Sequence, residues 1–150
     1  MSSRLSTLLL LAAATAASGN ALAGPTGGPS LENLLLLSTS RGYEVETHYV
    51  VTADFYNLTL IRHPSPAPSK GAPACTSRKP VVLLHGIFCS SAVWTVPEPD
   101  AALGFLLADH CYDVWMPNMR GNQISMTRTD GITADDDLFW HWSFDELTRS

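Results

Sequence analysis

The sequence predicts an α/β fold, opening with a β-hairpin and continuing into a βαβ unit. Three observations carry this reading. Residues 44–52 and 56–62 alternate in polarity, residues 81–84 form an unbroken apolar run, and residues 81–116 read as strand, loop, helix and strand. Alternation with period two marks strands with one buried face. A continuous apolar run suits a strand covered on both faces, as in a parallel sheet flanked by helices. A hairpin followed by a βα progression, with a right-handed crossover, is the α/β pattern.

The elements follow in chain order. Arg4 supplies a positive charge, residues 5–17 are apolar or small, and Ala21-Leu22-Ala23 fits the small-x-small rule for cleavage before Gly24. These are the parts of a secretory signal over residues 1–23. Its apolar core falls short of the ~20 residues a spanning helix needs, so no transmembrane segment is expected. Residues 24–150 remain as one partial domain. Residues 31–37 predict a short helix. In the first strand Val45, Thr47, Tyr49 and Val51 form the predicted buried face, opposite Glu44, Glu46 and His48. Residues 53–55 are a turn. Residues 63–79, with Pro64, Pro66, Pro68 and Pro73, predict an exposed loop. Asp100 is placed to cap a helix over residues 101–109, with Leu103, Leu106 and Leu107 as its buried stripe. Residues 112–116 form a second buried strand, and residues 117–128 a loop. Ser143 and Glu146 have capping-box spacing at the start of another helix.

Composition narrows the function classes. The chain of 150 residues carries a net charge of -5 and no Lys/Arg cluster. Nucleic-acid binding would want a basic stripe, so no nucleic-acid partner is expected. No spacing of Cys and His suggests a metal site, and no cofactor is implied. Asp135-Asp136-Asp137 reads as a solvated turn, since three consecutive acids cannot all face one ion. Cys75, Cys89 and Cys111 are an odd set in a chain predicted to be secreted, which leaves their pairing open. Asn57-Leu58-Thr59 is an N-glycosylation sequon, which makes Asn57 the candidate glycan acceptor.

An ordered set of motifs then resembles the acid lipase family of animals, which includes gastric and lysosomal lipases. Its pieces are Gly42-Tyr43 with Glu46 and His48, and Val51-Thr52 with Asp54 and Tyr56. Leu83-Leu84-His85-Gly86-Ile87 follows, with Ser90-Ser91 and Trp94. Then come Leu107-Ala108-Asp109, Tyr112-Asp113-Val114-Trp115, and Asn118 with Arg120-Gly121-Asn122. Phe139-Trp140, Trp142-Ser143 and Asp145-Glu146 close the series. The resemblance runs from about residue 31 to the end. It implies the N-terminal part of an α/β-hydrolase fold, left incomplete, and hydrolysis of lipid carboxylic esters. The implied partner is a lipid ester, with transient contact at a lipid interface, in the secretory pathway, extracellular space or lysosome. It also implies that the backbone N–H of Ile87, supported by His85 and Gly86, is one donor of an oxyanion hole. Such a donor meets the negative oxygen of a tetrahedral intermediate without reorganising. Gly86 lets the backbone approach substrate closely. The side chains of Ile87 and Phe88 would wall an acyl pocket.

Two residues depart from the family pattern. Phe55 and Cys111 stand where the family commonly has glycine, so a different turn is expected at Phe55, and at Cys111 either backbone strain or an altered helix cap. Trp94, Trp115, Trp140 and Trp142 are read as packing residues. Arg120 is read as a structural salt bridge or backbone contact beside the site.

No Gly-x-Ser-x-Gly elbow occurs in the sequence. In this fold the triad runs Ser, then acid, then His. His85 therefore precedes any nucleophile and is not the general base; His48, His63, His110 and His141 fail alike. The chain is read as stopping before its nucleophile elbow and as inactive alone, the triad lying outside it. The alternative is a short, non-catalytic secreted product that binds lipid or a partner. Residues 112–116 are expected to lack a neighbouring strand, exposing an apolar, aggregation-prone edge.

Overall fold

The computed structural model describes residues 30–64 and 75–148. The predicted signal segment lies outside the described residues, as does most of the proline-rich loop. Helix α1 spans Leu31–Ser40, three residues longer than expected, and the Ser30 hydroxyl accepts from the Asn33 N–H at its start. Strands β1 (Glu46–Val51) and β2 (Tyr56–His63) form the predicted antiparallel hairpin, with Glu46 opposite Arg62 and Val51 opposite Asn57. Strand β3 (Lys79–Val82) leads into a loop and a 3-10 turn at Ser91–Trp94. Helix α2 (Leu103–Asp109) and strand β4 (Tyr112–Pro117) complete the βαβ unit. Strand β5 (Thr127–Arg128), a 3-10 turn at Asp137–Trp140 and helix α3 (Phe144–Thr148) follow.

The sheet order is β1-β2-β4-β3, with β5 pairing the start of β2. β3 runs parallel to β4, while β2 runs antiparallel to both β1 and β4. This order corrects the expectation for residues 112–116. β4 is flanked on both sides, and β1 and β3 are the outer strands of this order, each with one side unpaired among the described residues. The hairpin inserts its second strand against β4, so the chain's own N-terminal half supplies the neighbour. Lys79 and Pro80 open β3, and both residue types discourage edge-to-edge pairing.

One face of the sheet is covered. Ile61, Val114 and Met116 point to α2 and bury against Phe105, Ala102 and Ala108, with Leu34 of α1 and Tyr43. The Tyr43 and Phe105 rings stack at 4.2 Å between centroids, and the Tyr43 hydroxyl donates to Asp109 at 2.8 Å. The buried side of α2 follows the predicted leucine stripe only in part, with Leu107 packed partly buried against the core. Gly104, Phe105 and Ala108 face the sheet, while Leu103 is exposed. The cause is close approach: a Cβ on Gly104 would lie 2.9 Å from the Trp94 carbonyl oxygen. Small residues let the helix settle where leucines would hold it off. The predicted Asp100 cap is also absent. Ala102 occupies the cap position without a side-chain bond, and the N–H groups of Ala101 and Ala102 donate to the Glu98 carbonyl instead.

The other face carries Val82 and Leu84, both exposed, so the run at residues 81–84 is covered on one face and not on two. Its apolar character does not require burial within the described residues. Tyr49 and Val51 are exposed as well, because α2 packs chiefly on β4 and β2 and leaves the far end of β1 bare.

Both glycine departures keep the left-handed backbone. Phe55 has φ 73° and Cys111 has φ 65°, so neither the turn nor the cap changes type. At Cys111 the Cβ strain of that conformation is held by a tie: Cys111 is disulfide-bonded to Cys75, with 5.6 Å between Cα atoms. Cys89 is the free thiol among the described residues. The capping box forms as read, with Glu146 accepting the Ser143 N–H at 2.7 Å.

Candidate functional site

Strand β3 delivers its loop to the C-terminal end of the parallel pair, where ligands bind in open α/β sheets. An open cavity of about 910 Å³ lies there, lined among others by His85, Ile87, Phe88, Cys89, Met119, Asn122, Trp140 and Trp142. The sequence-predicted residues His85 and Ile87 both reach it. Gly86 sits between them, and a Cβ built on it would meet nothing within 4 Å. No protein atom demands glycine at this position, so the space it leaves is open to a ligand. Phe88 stands fully in solvent at 99% exposure with φ 62°.

His85 is buried at 5% exposure and both ring nitrogens are engaged. Nε2 receives the Met119 N–H at 3.1 Å, and a backbone N–H can only donate. Nε2 is therefore the unprotonated nitrogen, and Nδ1 carries the proton that it donates to the Gly86 carbonyl at 2.8 Å. The Cys89 N–H donates to the same carbonyl at 3.1 Å. In a trans peptide the carbonyl and the following N–H point in opposite directions. Holding the Gly86 carbonyl inward thus turns the Ile87 N–H outward. That N–H makes no hydrogen bond to another described residue.

Behind the loop lies a polar network in which Asn118 and Ser91 carry no role in the sequence pattern and Ser125 is not part of any motif. Asn118 is wholly buried. Its Oδ1 accepts from the Ser91 N–H at 2.9 Å, and its Nδ2 donates to the Thr59 carbonyl at 3.2 Å and the Ser91 hydroxyl at 3.1 Å. Ser125 donates to the Asn118 carbonyl and accepts the Thr59 N–H, both at 2.9 Å. The signal that could have found these residues is chemical: asparagines four apart, flanking a glycine in a loop, serve as backbone surrogates.

Arg120 is buried and makes the structural salt bridge read for it. Its guanidinium pairs with Asp54 in the hairpin turn, donates to the Glu146 carbonyl at 3.4 Å and lies 4.3 Å over the Tyr56 ring. The Arg120 pair and the Thr52 hydroxyl hold the Asp54 carboxyl below its usual range, against the opposing effect of burial. Gly121, at φ 80°, is roofed by Trp140 and Trp142; a Cβ there would lie 2.8 Å from the Trp142 ring. These two indoles therefore pack on backbone and line the cavity at once, while Trp115 lies under Arg62 and beside His48. Asp136 spends its carboxylate on the Thr133 N–H and hydroxyl. Asn57 is the second residue of β2, half-buried between Val51 and Thr127, with its Oδ1 enclosed.

A hairpin, a parallel βαβ unit and a loop with an outward N–H define the opening portion of an α/β-hydrolase. Residues 37–98 match a family model described as a partial α/β-hydrolase lipase region. The chain is 42% identical over 106 residues to Lipase 1 of Drosophila melanogaster, covering 71% of this chain and 22% of that protein. It is 38% identical over 118 residues to Lipase member M of Homo sapiens, covering 78% and 27%. Triacylglycerol lipase 1 of Arabidopsis thaliana is 38% identical over 105 residues, covering 70% and 25%. Over this stretch the chain is similar to the N-terminal region of α/β-hydrolase lipases, and it spans about a quarter of the length of the curated relatives it matches.

Proposed function

We propose that this chain is the N-terminal part of a secreted or lysosomal lipase that hydrolyses carboxylic esters of lipids through a serine acyl-enzyme. The observation that carries the reading is the outward Ile87 N–H, on a peptide held by His85 and Cys89 at the cavity. In the acylation step a serine oxygen bonds to the ester carbonyl carbon, and the carbonyl oxygen gains the negative charge. The Ile87 N–H donates to that oxygen, as preorganised backbone donors do. Collapse expels the alcohol, and water releases the fatty acid. Serine, acid and histidine come from sequence beyond these residues, so residues 24–150 alone carry out no turnover. The apolar lining of the cavity suits an acyl chain, with Ile87 and Phe88 on its wall. The Cys75–Cys111 disulfide supports an oxidising, secretory route. A glycan on Asn57 belongs to the same reading, attached before the strand closes around its side chain.

The test is to sequence the transcript past the Ser150 codon and express what it encodes. A downstream Gly-x-Ser-x-Gly with later acid and histidine, and a product labelled by a fluorophosphonate in competition with an ester, is the expected result. An in-frame stop with secretion of an unlabelled short protein would establish the non-catalytic binding product instead.

A further inference from the structure

We propose that Asn122 is a positioning residue that reinforces, beside the Met119 N–H, the ring state of His85 and, through it, the direction of the Ile87 N–H. The proposal rests on the oxyanion reading of Ile87 and adds the device that aims it. Asn122 has no rotational ambiguity. Its Oδ1 accepts the N–H groups of Ile124 at 2.9 Å and Ser125 at 3.1 Å, so its Nδ2 must face the other way. That Nδ2 donates to His85 Nε2 at 3.1 Å and to Asn118 Oδ1 at 3.2 Å. The direction of every bond is set by backbone N–H groups that can only donate: those of Ile124, Ser125, Met119 and Ser91. Two donors converge on His85 Nε2, so the ring proton is confined to Nδ1. Only from Nδ1 can the ring donate to the Gly86 carbonyl and hold the Gly86–Ile87 peptide with its N–H outward. The free imidazole favours neither arrangement strongly enough to make this automatic; the environment selects it. Asn122 lines the same cavity as Ile87, and its proposed role runs through its bond to the ring.

Heteronuclear NMR of the labelled full chain tests this without any hydrolysis. In the wild type, Nδ1 of His85 is expected to resonate as a protonated ring nitrogen and Nε2 as an unprotonated acceptor. The reverse pattern overturns the proposal before any variant is made. Asn122→Asp keeps the acceptor for Ile124 and Ser125 but replaces the donor facing Nε2 with a second acceptor. It is expected to draw the ring proton toward Nε2 in competition with the Met119 N–H that still donates there, moving the Nε2 resonance off its pure acceptor position and shifting the Ile87 amide resonance. Ser125→Ala loosens the same loop without touching His85, and is expected to leave the ring state as it was. If Asn122→Asp leaves the ring and the Ile87 amide unchanged, or if Ser125→Ala changes them as much, Asn122 has no positioning role. These readouts are independent of esterase activity, so a failed lipase assay with the expected ring pattern would sink the function and spare the positioning.

Discussion

Two histidines are buried in this molecule, and their surroundings are opposite. Around His85 both ring nitrogens, both Asn118 amide atoms and both Asn122 amide atoms have partners. His63, wholly buried at the end of β2, donates from Nδ1 to the Glu44 carbonyl, while its Nε2 has no partner among the described residues. Its other neighbours are the edges of the Tyr43 and Phe105 rings, at 6.1 and 5.2 Å. Burial in that apolar setting pushes its pKa down to about 4. The contrast separates two uses of a polar ring. At residue 85 the ring defines a backbone geometry. At residue 63 it fills core volume and is tolerated only while neutral.

The comparison can be broken from either side. Phe105→Ala removes a wholly buried ring that packs on both Tyr43 and His63, and should lower stability by about 3–5 kcal/mol in a denaturant titration. The His63 environment also predicts a pH effect. The folded pKa of about 4 lies below the ordinary 6.5, so between these values the unfolded chain holds the extra proton. Stability contributed by the neutral ring is full above 6.5 and falls as pH drops toward 4, by up to ~3 kcal/mol. His63→Phe should flatten the stability profile across that window. An unchanged slope would mean that the ring is wetter than its burial indicates. The carboxylates of Asp54, Asp113 and Glu46, all held low chiefly or partly by arginine or histidine partners, add their own losses at still lower pH.

On the His85 side, Asn118→Leu leaves the buried Ser91 N–H without its side-chain acceptor, at about 1–3 kcal/mol, while the Thr59 carbonyl keeps the Asn118 backbone N–H at 2.9 Å. Unlike Phe105→Ala, it should also perturb the Ile87 amide, because it loosens the support behind the loop. Gly104→Ala drives a methyl into the Trp94 carbonyl and the Met116 sulfur, 2.9 and 3.3 Å away, and should destabilise by about 1–3 kcal/mol. The smallest effect is expected outside both regions. Glu46→Gln breaks half-exposed contacts with Arg62 and His48 and should change stability by less than ~1 kcal/mol.

Much of the fold was legible because its signals are local. Alternation placed both hairpin strands within a residue or two, and Ser143 with Glu146 announced a capping box that forms as read. The misreadings share a different cause. Leu103 was assigned to the core of α2 by periodicity, yet Gly104 and Ala108 face the sheet, because interhelical distance is set by the partner surface and not by the helix. Likewise residues 112–116 were expected at an edge, since nothing in a one-dimensional pattern says that the hairpin returns beside β4. The site divides in the same way. His85, Gly86 and Ile87 stood out as a motif after a strand, whereas Asn118 and Asn122 act through bonds that exist only once two loops are adjacent.

By itself the sequence determined the element types, the hairpin, the loop after β3 and the kinship with lipases over the chain's opening region, all from signals that span fewer than a dozen residues or from ordered motifs. Tertiary structure alone decided the strand order, the pairing of Cys75 with Cys111, the buried side of α2 and the ring state of His85. Each of these depends on which groups meet across long stretches of chain, and hydrogen-bond direction is defined only when donor and acceptor are brought face to face.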